Sequence, residues 1–214
     1  MTKPVKGLLV LVRHGETDHN VQRLMTGQLD VPLNKTGEAQ AHAAGLLLKD
    51  IKFDKVYSST LSRAFNTAAL ALKAAGQDHL PIEQRTEIVE AHAGDYTGRN
   101  METDPEVLTF VRLYDNAPPN GESDKQVVAR EQLFFDVDVK PRLERGENVL
   151  VVMHAGSKRG FDIVIGREKA PPDGTARVRR SIPNAGPEKH EYEDGVLVKS
   201  TQLVNPVQGH KFKP

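Results

Sequence analysis

The chain contains no cysteine. That absence excludes disulfides, zinc–thiolate centres and a thiol nucleophile, and it fits a reducing compartment. It also lacks a His-Glu-x-x-His pair, a Walker A loop and an EF-hand loop, the short motifs that announce common metal or nucleotide sites. No apolar run reaches the length of a membrane span. The first apolar run, residues 8–12, is stopped by Arg13 and is too short for a secretory leader. Charge of one sign is missing too: 29 Lys and Arg balance 29 Asp and Glu. No overall field therefore draws the chain to nucleic acid or to an anionic membrane. No internal repeat or low-complexity stretch is present. A cytoplasmic protein is expected, with residues 1–214 forming one domain around one core.

Against that plain background two stretches stand out. Leu8-Leu9-Val10-Leu11-Val12 runs straight into Arg13-His14-Gly15. Val149-Leu150-Val151-Val152-Met153 runs into His154-Ala155-Gly156-Ser157. Short continuous apolar runs of this kind predict buried strands of a parallel sheet. Each would deliver a histidine at the carboxyl end of its strand, the edge at which open α/β sheets bind ligands. If the strands are parallel neighbours, both histidines reach the same edge. Taken alone, Arg-His-Gly also fits a strand whose last two polar residues merely reach solvent.

Between these strands the sequence predicts a polar loop over 16–34 and a helix over 34–48 with Asn34 as its cap. A strand follows over 53–59, then a helix over 61–75 capped by Ser59 or Thr60, with Arg63 in its first turn. A helix N-terminus attracts anions, and an arginine there adds a two-pronged phosphate contact. Residues 80–83 suggest another strand, and an irregular loop then carries Glu90, with Glu87 as its nearest rival. Helices are expected over 105–114 and 124–145, the second interrupted by Pro141, and a last helix over 158–165. Residues 169–180 read as a surface excursion. Strands are expected over 181–190 and 195–203. Residues 95–147 are expected to form a lid and 204–214 a loose tail.

His14, His154, Arg13, Arg63 and Glu90 together suit phosphoryl transfer, which depends on positioning and charge stabilisation. His14 is the candidate nucleophile, Arg13, Arg63 and His154 the holders of phosphate oxygens, and Glu90 the acid and base. In the acid role Glu90 should be protonated at rest, with a raised pKa. No metal is required.

Several segments recur in order. They are Leu11-Val12-Arg13-His14-Gly15-Glu16-Thr17 with Asn20, then Thr26-Gly27 through Asp30-Val31-Pro32-Leu33, and Thr36-Gly37. Tyr57-Ser58-Ser59-Thr60-Leu61-Ser62-Arg63-Ala64 follows with Thr67, then Glu90 with Gly94 and Gly98. Gly121-Glu122-Ser123 with Arg130, and Val151-Val152-Met153-His154 with Ser157 and Arg159, complete the set. In this order they resemble the histidine phosphatase superfamily and its cofactor-dependent phosphoglycerate mutase branch. The resemblance implies an α/β fold, a three-layer α/β/α sandwich on a mostly parallel sheet. It implies a phosphohistidine at His14 and phosphate contacts from Arg13, Asn20, Thr26, Gly27, Arg63 and the backbone N–H of Ala155. The chain departs from the family in having Ala155 where glycine is usual and Lys158 where an apolar residue is usual. Its segment from 99 to 120 is shorter than the mutase insertion and offers Arg112 and Tyr114 in place of paired arginines.

The expected function is a metal-independent phosphatase acting on a small phosphate ester through a phosphohistidine. The alternative is a phosphoglycerate mutase primed by 2,3-bisphosphoglycerate, which would then be its only cofactor. A silent binding protein on the same fold would be expected to have lost His14, Glu90 or an arginine, and all are present. The partner expected is a small phosphorylated molecule, with a homodimer left open.

Overall fold

In the computed structural model, which describes residues 3–110, 113–176 and 181–207, the strand β1 (Lys6–Arg13) is central. Leu9 and Leu11 point to one face of the sheet, and Val10 and Val12 to the other. That alternation is the two-residue period of a pleated strand. All four side chains are buried. Burial of each contributes about 1.5–3 kcal/mol, so β1 is fixed from both sides.

The other elements follow from similar local causes. α1 (Asp18–Val21) is a single turn capped by Thr17. α2 (Lys35–Leu48) starts where Asn34 accepts a hydrogen bond from the Gly37 N–H at 2.8 Å, as its sequence predicts. β2 (Lys55–Ser59), α3 (Ser62–Ala74) and β3 (Ile82–Arg85) follow. The second half has α4 (Pro105–Thr109), α5 (Asp124–Phe134), α6 (Lys140–Glu144), β4 (Asn148–Met153) and α7 (Ala155–Val164). A hairpin of β5 (Pro187–Glu193) and β6 (Val196–Gln202) closes the chain.

The six strands lie in the order β3-β2-β4-β1-β5-β6. β3, β2, β4 and β1 are parallel, whereas β5 runs antiparallel to β1 and β6 antiparallel to β5. The sheet is therefore mixed, and the expectation of a mostly parallel sheet holds only for its first four strands. The tight turn at Asp194-Gly195 makes the closing pair a hairpin, which is necessarily antiparallel. Two apolar clusters flank the sheet. One joins Leu9, Leu11, Val149 and Val151 to Phe134, Val139, Leu143 and Phe161. The other joins Val10, Val12, Val56 and Val152 to Leu48, Ala64, Ala68 and Leu72. Helices on both faces make three layers. No helix among the described residues is long and apolar enough to cross a membrane.

Several expectations change. The region 95–147 is not a lid throughout, because Val127, Phe134, Phe135, Val139 and Leu143 are core residues. Of the described residues in its first half, up to the cap residue Ser123, none belongs to the two apolar clusters that flank the sheet. The long helix expected over 124–145 is divided: α5 passes through a π-helical stretch, Phe135–Val139, into α6. Pro141 has no N–H to offer the carbonyl four residues earlier, and the widened turn absorbs that defect. The helix expected to reach Tyr114 ends at Thr109, and Arg112 lies outside the described residues. β5 starts six residues later than predicted, because 181–186 form a loop over the sheet edge. Of the surface excursion, residues 177–180 lie outside the described residues. Thr175 accepts from Tyr114 N–H at 2.9 Å, so its first part is pinned to the lid. The tail is fastened at its start, where Asn205 donates to the carbonyls of Gln40 and Ala185; residues 208–214 lie outside the described residues.

Candidate active site

β1 and β4 are hydrogen-bonded parallel neighbours, with Arg13 opposite Met153. The His14 N–H donates to the Met153 carbonyl at 2.8 Å. The next residue on each strand is therefore a histidine at one edge of the sheet. The two imidazole rings lie 5.2 Å apart between centroids and are tilted by 56°. Both residues are buried. The juxtaposition that the two apolar runs suggested is present.

His14 holds its Nδ1 at 2.6 Å from the Gly15 carbonyl oxygen. A carbonyl only accepts, so Nδ1 carries the proton and Nε2 keeps its lone pair. Burial, then the charges of Arg13 and Arg63 with His154 close by, holds the His14 pKa well below the ordinary imidazole range. His154 is held down likewise by burial and by Arg63 and Arg13. Both rings are neutral at pH 7.

The two arginines are buried and already partly engaged. Arg13 donates through Nη1 to the Ile182 carbonyl at 2.6 Å. Burial lowers its pKa to about 10, so it stays cationic. Arg63 donates through Nη1 to the Leu29 carbonyl and through Nη2 to the Gly27 carbonyl, at 2.8 and 2.9 Å. Its fork thus holds the loop that precedes α2, and two of its five N–H donors are spent there. The Nε atoms of Arg13 and Arg63, and both ring nitrogens of His154, are buried with no hydrogen-bond partner. Unsatisfied buried donors are costly. Cationic and imidazole groups left open together are what an anion with several oxygens would complete.

The α3 terminus differs from its expectation. Neither Ser59 nor Thr60 caps it in the usual way; Leu61 occupies the cap position with no side-chain bond. The Asp30 carboxylate instead accepts from the Ser62 N–H and hydroxyl, each at 2.8 Å. A carboxylate thus already occupies that helix end.

Glu90 also departs from its expectation. Its carboxylate accepts from the Gly156 N–H at 3.0 Å, the Ser157 N–H at 3.1 Å and the Ala91 N–H at 2.8 Å. A side chain at Gly156 would displace this carboxylate, because a Cβ would lie 2.2 Å from Glu90 Oε1. Burial opposes ionisation, but these amides with Arg159 and Arg63 overcome it, and the pKa is lowered, not raised. At rest Glu90 is an ionised carboxylate seated on the first turn of α7.

The remaining predicted residues are less uniform. Asn20, inside α1, completes its capping box: its Oδ1 accepts from the Thr17 N–H and from the Asn184 side chain, each at 3.2 Å. The Thr26 hydroxyl has long contacts, 3.5 Å to His19 and to the Leu24 carbonyl. Gly27, at a φ of 50°, has its back against Ala93, where a Cβ would sit 2.9 Å from the Ala93 Cβ. Ala155 opens α7 directly after His154. Sequence reasoning missed Asn184, which donates to the His14 carbonyl at 3.1 Å, and Ile182, which anchors Arg13. Both come from the loop taken for a strand. The prolines at 183 and 187, which cannot donate to a ladder, were the available signal. Thr67 supports the site from α3 by accepting from Gly15 N–H at 3.0 Å.

Comparison with known proteins agrees with this geometry. A family model described as the histidine phosphatase superfamily (branch 1) matches residues 9–173. A 2,3-bisphosphoglycerate-dependent phosphoglycerate mutase of Methylobacterium sp. (strain 4-46) is 40% identical over 166 residues, covering 74% of this chain and 80% of its own. The crystal structure of a phosphoglycerate mutase from Bacillus anthracis str. Sterne superposes with a TM-score of 0.74 at 28% identity, covering 92% of each chain. A mycobacterial glucosyl-3-phosphoglycerate phosphatase reaches 0.72 at 26% identity, covering 92% of this chain and 97% of its own. Paired histidines at the ends of adjacent strands, two buried arginines beside them and a match over most of the length agree: the chain belongs to the histidine phosphatase superfamily.

Proposed function

We propose that the chain hydrolyses a small phosphate monoester through a phosphohistidine at His14. The observation that carries this reading is the set of open buried donors, Arg13 Nε, Arg63 Nε and the His154 ring, around a neutral His14. An ester phosphate would take hydrogen bonds from those donors, with Asn20, Thr26, Gly27 and the Ala155 N–H as further contacts. His14 Nε2 attacks phosphorus as the bond to the ester oxygen breaks. The leaving oxygen takes a proton from Glu90. Water then attacks the phosphohistidine, gives a proton to the Glu90 carboxylate, and the P–N bond breaks. An ester monoanion and water thus become an alcohol and dihydrogen phosphate. Because the resting Glu90 is ionised, the proton it donates arrives with the ester. The arginines and His154 supply the charge stabilisation that a metal supplies elsewhere, so neither metal nor cofactor has a step to perform.

A second reading is favoured by a specific observation: the curated relatives, including one at 40% identity, are named as bisphosphoglycerate-dependent mutases. By likeness alone that reading ranks first. It asks the lid for cations to hold the substrate carboxylate. Among the described residues of the lid up to Ser123, Arg99 is paired with Asp104 and Glu106; Arg112 lies outside the described residues.

The experiment is a single-turnover reaction with a 32P-labelled ester, chelator present. Acid-labile label on the wild type, its absence in His14→Ala, and release of inorganic phosphate support the hydrolase. Conversion of 3-phosphoglycerate to 2-phosphoglycerate, stimulated by bisphosphoglycerate and with little free phosphate, would select the mutase. Undiminished turnover by His14→Ala would overturn both.

A further inference from the structure

Glu90 lies in a stretch, residues 89–93, that is neither helix nor strand. Its carboxylate is seated on amides of α7, but its main chain is held from elsewhere. Arg130 of α5 donates through Nη1 to the Glu87 carbonyl and through Nη2 to the Glu90 carbonyl, the latter at 3.3 Å. The same guanidinium donates through Nε to Glu122 Oε1 at 3.0 Å and through Nη2 to Glu122 Oε2 at 3.2 Å. Glu122 in turn grips the chain beyond Glu90. Its Oε2 accepts from the His92 N–H at 3.0 Å, and its own N–H donates to the His92 carbonyl at 2.9 Å. One ion pair thus holds residues 87, 90 and 92. Gln28, which stands between the two residues whose carbonyls hold Arg63, also donates to the Glu90 carbonyl, at 3.0 Å.

These contacts close a triangle. α5 packs on α7, where Gly160 backs onto Val127 and Glu131, which flank Arg130 on α5. The Glu90 main chain is fixed to one helix and its carboxylate to the other, so the place of that carboxylate in the site depends on both. Proton transfer needs its two heavy atoms within about 2.6–3.2 Å, and a displacement of about 1 Å can cost about 100-fold in rate. The pair is mostly buried, and a planar fork engaged with two carbonyls and a carboxylate has little freedom to move.

Resting on the hydrolase reading above, we infer that Arg130, braced by Glu122, is a positioning residue for the proton step: it sets where the Glu90 carboxylate meets the leaving oxygen. Because Gln28 ties the loop under Arg63 to the same Glu90 carbonyl, the clamp also keeps the acid in register with the phosphate.

The test sets ethyl phosphate against p-nitrophenyl phosphate, whose leaving group needs no proton. Arg130→Lys removes the fork and keeps the charge, which, behind burial, Arg63 and Arg13, also helps to hold His154 neutral. Glu122→Gln keeps the shape and removes one acceptor, and it reads the same clamp if Arg130→Lys does not fold. In each variant kcat/KM should fall about 10- to 100-fold for the ethyl ester and less than about 3-fold for the nitrophenyl ester. On a Glu90→Gln background either change should add less than about 2-fold, since residues that act as a unit are not additive. The carboxyl 13C resonance of Glu90 should titrate at higher pH in the variants than in the wild type, because a loosened seat gives up amide bonds while burial remains. Equal slowing of the two esters, full additivity with Glu90→Gln, or an unmoved Glu90 titration would each overturn the inference and leave the pair a purely structural one. No phosphohistidine from either ester in the wild type, with the Glu90 titration still raised in the variants, would instead refute the hydrolase and retain the clamp.

Discussion

Glu90 is hydrogen-bonded to Gly156 across 66 residues of sequence, its Oε2 accepting from the Gly156 N–H at 3.0 Å. The carboxylate therefore rests where a helix dipole and two amides favour negative charge. Its lowered pKa has a consequence for the pH profile. With Glu90 ionised in the free protein, only an ester that brings its own proton can supply one to the leaving oxygen. The second ionisation of a phosphate ester lies at about 6, so kcat/KM for alkyl esters should fall as pH rises above that value. Below it, activity should persist until His14 is protonated, well under the ordinary imidazole pKa. A p-nitrophenyl ester needs no proton, and its profile should stay flat to higher pH. Glu90→Gln should slow alkyl esters by about 100-fold or more and the nitrophenyl ester far less. Equal slowing of both would remove Glu90 from the acid role.

Arg63 offers a second test, because one guanidinium holds both Gly27 and Leu29. Lysine keeps the charge but is a point donor and cannot span two carbonyls while facing phosphate. Arg63→Lys should lower kcat/KM by about 100-fold. It should also speed amide exchange at Leu29, whose N–H closes a turn onto the Thr26 carbonyl. Slow exchange with lost activity would mean that the loop does not depend on the arginine.

Stability should fall in mild acid. His190 is buried, and burial lowers its pKa to about 4 from an ordinary 6.5. The unfolded chain binds a proton below 6.5 that the native one refuses, so native stability is lost as pH falls from 6.5 toward 4. The span corresponds to about 3 kcal/mol, and His14 and His154 act in the same direction. Urea titrations between pH 7 and 4 should show it. His190→Asn, which keeps a polar atom for Ser200, should flatten the slope; an unchanged slope would exclude His190 as a source.

Lys158 is fully buried and paired with Glu188, which also meets Arg167, and Asp162 lies 3.9 Å from its Nζ. Lys158→Met should destabilise by about 3 kcal/mol, since it removes the buried cation and leaves Glu188 and Asp162 to share Arg167, which is partly exposed. Adding Glu188→Gln should recover part of that loss. A neutral single variant in urea would show that the pair contributes nothing.

What could be read from the residues divides along physical lines. The strands with His14 and His154 at their ends were readable because continuous apolar runs encode burial on both faces, and Asn34 was readable as a cap because capping is local. Ile182 and Asn184 were not, since they reach β1 across some 170 residues and carry no periodic signal. The ionised state of Glu90 was hidden for the same reason: its identity suggested an acid, and only the packing of its loop against α7 sets its charge. Lys158 looked like a departure from pattern and needed Glu188, thirty residues away, to make sense.

The register of β1 against β4 fixes more than proximity. Because the His14 amide is itself a rung of that ladder, bonded to Met153, the spacing of the two histidine backbones is inherited from the sheet, and burial then limits the rotamers that set the ring separation. The two histidines are accordingly anchored to the middle of the sheet, the part of a domain that opens least readily. The loops at 23–29 and 90–104, held largely by turns and single hydrogen bonds, can open locally without disturbing it. Substrate preference can therefore drift in those loops while the chemistry beneath them stays unchanged.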